Sequence, residues 1–280
     1  MKYGWLAMAG LALAGAAQAG AAQAGDAGVG DAAGAPPRVV LAIFAHPDDE
    51  LVVSPALAAE ARKGAQVRIV YATRGDAGPG VSSLPKGAEL AAVRSGEAQC
   101  ASAALGLDAP LFLDFGDGEL WRYARGQSGE TDAAMRNLAG AIADAIAAAH
   151  PAVIVTWGPD GGYGHADHRM VSDLVTQIVQ AMPSATRPQL LYPGIPAGSL
   201  PPVPEMQSWA VTDPGLLDVA IAYDKGDLGA ATKATQCHAT QFDAPTRAAL
   251  APLFDQSIWR GAVHFRRALP DAGEATSPAS

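Results

Sequence analysis

The chain has 280 residues, 49% of them hydrophobic and 17% charged, enough for one substantial core that needs no staples. A formal net charge of −9 excludes a general nucleic-acid binder, which needs a basic face, and disfavours docking on anionic lipid through a polybasic patch.

Lys2, an apolar stretch over residues 5–17 and the small-residue site Ala17-Gln18-Ala19 form the pattern of a secretory signal over residues 1–19, with Ala22-Gln23-Ala24 as a second cleavage site. The apolar stretch is short for a bilayer span. The mature chain is therefore expected to be exported, periplasmic or secreted, without stable membrane insertion; an uncleaved anchor is the alternative. Residues 20–37, rich in Gly and Ala without pattern, read as a flexible linker.

Residues 39–44, VVLAIF, form an apolar run of strand length. The loop Ala45-His46-Pro47-Asp48-Asp49-Glu50 follows, then a helix over residues 51–63 closed by Gly64, and a strand over 67–72. A Gly-rich loop over 73–87 lacks the order of a phosphate cradle and reads as a cleft rim or plain surface. A helix over 88–105, a short strand over 111–113, an aperiodic stretch over 114–129 and an Ala-rich helix over 132–149 come next. A strand over 152–156 leads into Gly161-Gly162-Tyr163-Gly164-His165-Ala166-Asp167-His168, followed by a helix over 167–182 and a strand over 190–192. Residues 193–204 carry five prolines and read as an irregular connection; helices are expected near 214–223 and 230–242, and a disordered tail over 269–280. Strands alternating with helices predict one α/β domain over 38–268 with a largely parallel sheet and helices on both faces. Cys100 and Cys237, expected on two different helices, either pair in an oxidising compartment or stay as buried thiols; the second reading is preferred.

Both polar loops follow strands, and open α/β sheets bind ligands at strand carboxyl ends. His46, Asp49 and His168 make a set of two imidazoles and one carboxylate that leaves positions open for water and substrate. It suits Zn²⁺, and Fe²⁺ or Mn²⁺ accept similar sets. Neighbouring side chains diverge, so when Asp49 binds, Asp48 hangs over the open position as a base for a water whose pKa the metal lowers to about 7. His165 is left to hydrogen-bond an oxyanion or protonate a leaving amine, with Asp167 placed to orient it. The structural alternatives are a His-Pro-Asp turn, a first-turn acid at Glu50 and a solvated helix face at His165 and His168. Arg94 and Tyr163 are weaker candidates for substrate contact, and His238 is as readily a helix-surface residue. Together the parts add up to metal-assisted hydrolysis of an amide.

The Ala45 to Glu50 and Gly164 to His168 loops resemble the two motifs of the PIG-L/LmbE-like family of metal-dependent N-deacetylases, with Ala166 where the second motif has proline. Weaker similarity covers Thr73-Arg74-Gly75, the helix with Arg94 and Glu97, and His238 with Gln241. The resemblance implies a Rossmann-like fold, zinc on His46, Asp49 and His168, Asp48 as base, and His165 as oxyanion stabiliser. It also implies Arg94 and Tyr163 as substrate contacts, and a small N-acetylglucosamine-type sugar or glycoconjugate as substrate. An amidase of another amide, such as an aminoacyl-sugar conjugate, and a non-catalytic exported glycan-binding protein remain as alternatives. No nucleic-acid partner is expected, and oligomeric state is not legible.

Overall fold

In the first strand, β1 (Val39–Phe44), residues alternate between two buried faces: Val40, Ala42 and Phe44 enter one core, Leu41 and Ile43 the other. A strand apolar on both faces belongs in the middle of a covered sheet, and β1 lies there. The sheet has seven strands in the order β3-β2-β1-β4-β5-β7-β6. They are β2 (Gln66–Thr73), β3 (Leu111–Phe115), β4 (Val153–Val155), β5 (Gln189–Pro193), β6 (Val219–Ala222) and β7 (Ala262–Arg267). The first five run parallel; β7 pairs antiparallel with β5 and β6. The computed structural model describes residues 37–125 and 129–270. The expected signal, almost all of the linker and nearly all of the tail lie outside them. No helix among the described residues is long and apolar enough to cross a membrane.

Helices cover both faces. α1 (Ser54–Arg62), α2 (Ala88–Ala104), α5 (Lys225–Cys237) and α6 (Ala244–Phe254) pack on the Phe44 side through Ala56, Ala98, Ala231 and Phe254. α3 (Gly129–Ala149) and α4 (Ala166–Gln180) pack on the Leu41 side through Leu138, Ile142, Val171 and Leu174.

Four expectations are corrected. The segment near 214–223 holds a 3-10 turn, Pro214–Leu216, and strand β6 instead of a helix. The helix expected over 230–242 runs instead over Lys225–Cys237, and a capping box of Asp224 and Asp227 sets its earlier start. α6 and β7 were not anticipated. Finally, Cys100 on α2 and Cys237 at the end of α5 are joined in a disulfide, where unpaired thiols were preferred.

Candidate metal centre and active site

The order β2-β1-β4 makes β1 the strand at which the chain changes direction across the sheet, so the ends of β1 and β4 border the crevice where such sheets bind ligands. After β1 the chain turns through Pro47 to Asp48, whose φ of 104° is rare for a residue with a side chain. Asp49 then folds back: its Oδ2 accepts the N–H groups of Ala45 (3.0 Å) and His46 (2.9 Å). Its Oδ1 is left facing His168 Nε2 at 2.9 Å. After β4, Gly162 has a φ of 74°, and a Cβ there would lie 2.6 Å from the Trp157 ring. That close approach leaves Trp157 stacked on His168, with ring planes 3° apart.

His46 Nδ1 and His168 Nε2 face each other at 3.1 Å, although 122 residues separate them in sequence. His168 Nδ1 lies 3.1 Å from the Gly161 carbonyl, which only accepts, so Nδ1 carries that ring's proton and Nε2 of the neutral ring is bare. His46 Nε2 is flanked by Asp117 Oδ1 at 3.0 Å and Asp167 Oδ2 at 3.4 Å. Neither carboxylate is well aligned with it, but in the neutral ring both favour the proton on Nε2 and leave the Nδ1 lone pair for a cation. Two bare nitrogens and the Asp49 carboxylate therefore converge in a buried space. They repel one another unless a cation sits among them, and the donors are those of a zinc-type site.

Where no metal is bound, the surrounding carboxylates draw a proton to this place instead: burial works against an imidazolium at His46, yet Asp117, Asp167 and Asp49 hold its pKa up to about 10, so a cation bound at Nδ1 displaces a proton. Burial also opposes ionisation of Asp49, but His168 and His46 keep its carboxyl well below the usual range. Among the described residues, two other groups bring three ligand atoms together: His46 with His165 and His168, and His46 with Asp117 and Asp167. In the second, Asp167 is already engaged by the N–H groups of Gly118 (2.8 Å) and Trp121 (3.2 Å), and Asp117 Oδ2 by Ala77 N–H (2.8 Å). Those carboxylates serve as supports for His46.

Asp48 adjoins this centre. Burial raises its pKa to about 6, with the Arg94 cation opposing and the Asp49 charge assisting. His165 is half-buried at the start of α4, and its Nδ1 accepts Asp167 N–H at 3.2 Å. The proton of its neutral ring is thus on Nε2. Burial, with His168 and His46 adding to it, lowers its pKa to about 4. It is neutral at pH 7.

Three residues sit elsewhere than expected. Arg94, read as a substrate contact or a surface ion pair, is only 3% exposed. It donates to the carbonyls of Gly75 (3.0 Å), Gly78 (3.2 Å) and Pro47 (2.5 Å), and lies 3.4 Å from Asp48 Oδ2. The Asp167 carboxylate turns to His46 and the 118–121 turn, whereas only its backbone meets His165. Glu50 does stand in the first turn of a short 3-10 helix, Asp49–Val52, but its side chain is fully enclosed and paired with His238 instead of facing solvent. Tyr163 is 42% exposed on the rim, its ring 5.9 Å from His165 and 5.4 Å from Trp209. Asp117 and Trp209 were missed. Asp117 had a usable signal, since Gly116-Asp117-Gly118 directly follows a strand; Trp209 lay in a segment without periodicity.

Comparison with known proteins places these loops in a family. The model of "PIG-L: GlcNAc-PI de-N-acetylase" matches residues 41–179. A 1D-myo-inositol 2-acetamido-2-deoxy-alpha-D-glucopyranoside deacetylase of Mycobacterium sp. (strain KMS) is 39% identical over 155 residues, 50% of this chain and 50% of that protein. The protein of that name from Rhodococcus opacus (strain B4) is 33% identical over 241 residues, 73% of this chain and 82% of the relative. The chain spans about half the length of the first curated relatives it matches. Among solved structures, N,N'-diacetylchitobiose deacetylase from Pyrococcus horikoshii superposes with a TM-score of 0.58 at 17% identity, covering 87% of this chain and 88% of that one, a likeness of fold. The two loops at the strand ends and the extent of the Rhodococcus match make the chain a member of the PIG-L family.

Proposed function

We propose that the chain is an exported, zinc-dependent deacetylase that removes the acetyl group from the amine of an N-acetylglucosamine-type sugar or glycoconjugate. The observation that carries this reading is the convergence of two imidazole nitrogens and a carboxylate with a second carboxylate alongside. A sugar-binding module needs no such base. The sugar class rests on the relatives, which are named for a 2-acetamido-2-deoxyglucoside.

In this reading His46 Nδ1, His168 Nε2 and an Asp49 oxygen hold the cation, and Asp117 and Asp167 fix the His46 ring from behind. Zn²⁺ is favoured by the donor set, with Fe²⁺ or Mn²⁺ as substitutes. A bound divalent cation supplies Lewis-acid polarisation of the amide and a water acidic near neutral pH. Asp48 takes the proton of the attacking water and then passes it to the leaving amine. A carboxyl held near 6 suits both transfers at neutral pH. His165 stays neutral and donates its Nε2 proton in a hydrogen bond to the developing oxyanion. Its low pKa rules it out as the principal acid. Tyr163 and Trp209 offer an aromatic rim against which a sugar ring can lie.

The test is acetate release from a panel of N-acetylglucosamine conjugates, with and without chelation, on wild type and Asp48→Ala. We expect chelation to abolish turnover, Zn²⁺ to restore it, and the substitution to cost about 10²–10⁴-fold in kcat. Full activity of the chelated protein and of Asp48→Ala would overturn the mechanism. Release of a different acyl group alone would redirect the substrate to another amide.

A further inference from the structure

Behind the candidate base lies a polar cluster that the chemistry above leaves without a task. Glu50, Tyr71 and His238 are each fully buried, so none of them reaches substrate. Glu50 Oε1 lies 2.6 Å from His238 Nε2. Its Oε2 accepts the Tyr71 hydroxyl at 2.7 Å and the backbone N–H of Asp48 at 2.9 Å. Among the described residues His238 Nδ1 has no hydrogen-bond partner, so Glu50 is the one group there that hydrogen-bonds the ring. A buried carboxylate without partners is costly, and one with three can grip what it binds.

What Glu50 grips is the strained residue. Asp48 has a left-handed φ of 104°, a region that disfavours any residue with a Cβ and persists only where surroundings enforce it. Among the bonds that hold this loop, the one made by the Asp48 N–H itself goes to Glu50. His238, 188 residues further on, secures Glu50 from the end of α5. That end is itself clamped to α2: Cys237 is bonded to Cys100, and Thr240 donates to Glu97 through its backbone N–H (2.7 Å) and its hydroxyl (2.6 Å).

We propose that His238 is a positioning residue for the reaction: through Glu50 it holds the Asp48 backbone in the conformation that aims the Asp48 carboxylate. The proposal rests on the reading of Asp48 as base. It assigns the C-terminal turn 237–241 a part in turnover that the two loops alone do not show.

The test compares wild type with His238→Leu and with His238→Gln, which keeps an N–H donor. For His238→Leu we expect kcat to fall about 10²-fold, the cost of displacing a catalytic group by about 1 Å, with KM within about twofold. Metal content should stay at the wild-type ratio, and deuterium uptake by the peptide covering residues 45–53 should be faster. His238→Gln should recover part of both losses. A role confined to stability would lower the unfolding midpoint and leave kcat and the 45–53 exchange alone, and that result overturns the proposal. So does a fall in kcat with unchanged exchange, or a change in KM alone. If His238→Leu does not fold, Tyr71→Phe removes one bond to the Glu50 carboxylate at nearly constant volume and leaves the other two; its kcat should fall about threefold to tenfold, with faster 45–53 exchange. Failure of the deacetylase reading is distinguishable. It appears as an active Asp48→Ala enzyme, whereas the exchange measurement on residues 45–53 stands without turnover.

Discussion

Removing the Cys100–Cys237 bridge should cost this protein a large share of its stability. The two cysteines are 137 residues apart, so the crosslink closes about half of the chain into a loop. In the chain-entropy account a loop of that length stabilises the fold by about 5 kcal/mol, and native bridges typically deliver about 2–5 kcal/mol on removal. A domain has about 5–15 kcal/mol in all. The perturbation is Cys100→Ala with Cys237→Ala, compared with the oxidised wild type in urea at equilibrium. The midpoint should fall, and the slope should rise, because the open denatured chain exposes more surface than the crosslinked one. Dithiothreitol on the wild type should reproduce the shift, helped by the exposure of Cys100. An unchanged midpoint in the double variant, or two free thiols in non-reduced protein, would refute the reasoning.

Arg94→Met removes the cation 3.4 Å from Asp48 Oδ2. Loss of a positive neighbour disfavours the carboxylate, so its pKa rises and the acid limb of the kcat/KM profile should move up by about one pH unit. A limb that stays in place while KM climbs would return Arg94 to substrate binding. Asp117→Asn weakens the support behind His46 Nε2 and should reduce metal affinity about 10–100-fold in a competition titration with a chromogenic chelator. Unchanged affinity would show that Asp167 alone orients the ring.

The parts of the fold that were legible have local causes. VVLAIF at residues 39–44 is apolar on both faces, which only a central strand satisfies, and β1 is one. The segment Ala88–Ala104 is rich in Ala and other helix formers, which outweigh Gly96 in its middle, and Gly106 lies just beyond its end. The C-terminal third was harder because its short runs have two readings. Val219–Ala222 is apolar enough for a helix turn, and what makes it a strand is β7, some forty residues later, pairing with it residue by residue. Two signals were present and missed. Val263 and Phe265 alternate with His264 and Arg266 at the period of a strand. Asp243 precedes Ala244 and Pro245 as a cap with proline in the first turn, and its side chain accepts Thr246 N–H.

The site divides along the same line. The two loops together announce their donors, because histidines and aspartates gathered at two strand ends exceed what turns and helix caps require. That the loops meet depends on β4 hydrogen-bonding directly to β1, a strand order that no local pattern encodes. The supports are less local still. Asp117 comes from the turn after β3, Arg94 from the middle of α2 and His238 from the end of α5, and each has an ordinary surface reading in sequence. His46 shows why they are needed. One of its nitrogens faces His168 and the other faces Asp117 and Asp167, so the ring's proton, and with it the lone pair offered to a cation, is set by residues about 70 and 120 positions away. Residues that supply donors can be found by type and spacing. Residues that decide which way those donors point are found only once the chain is folded.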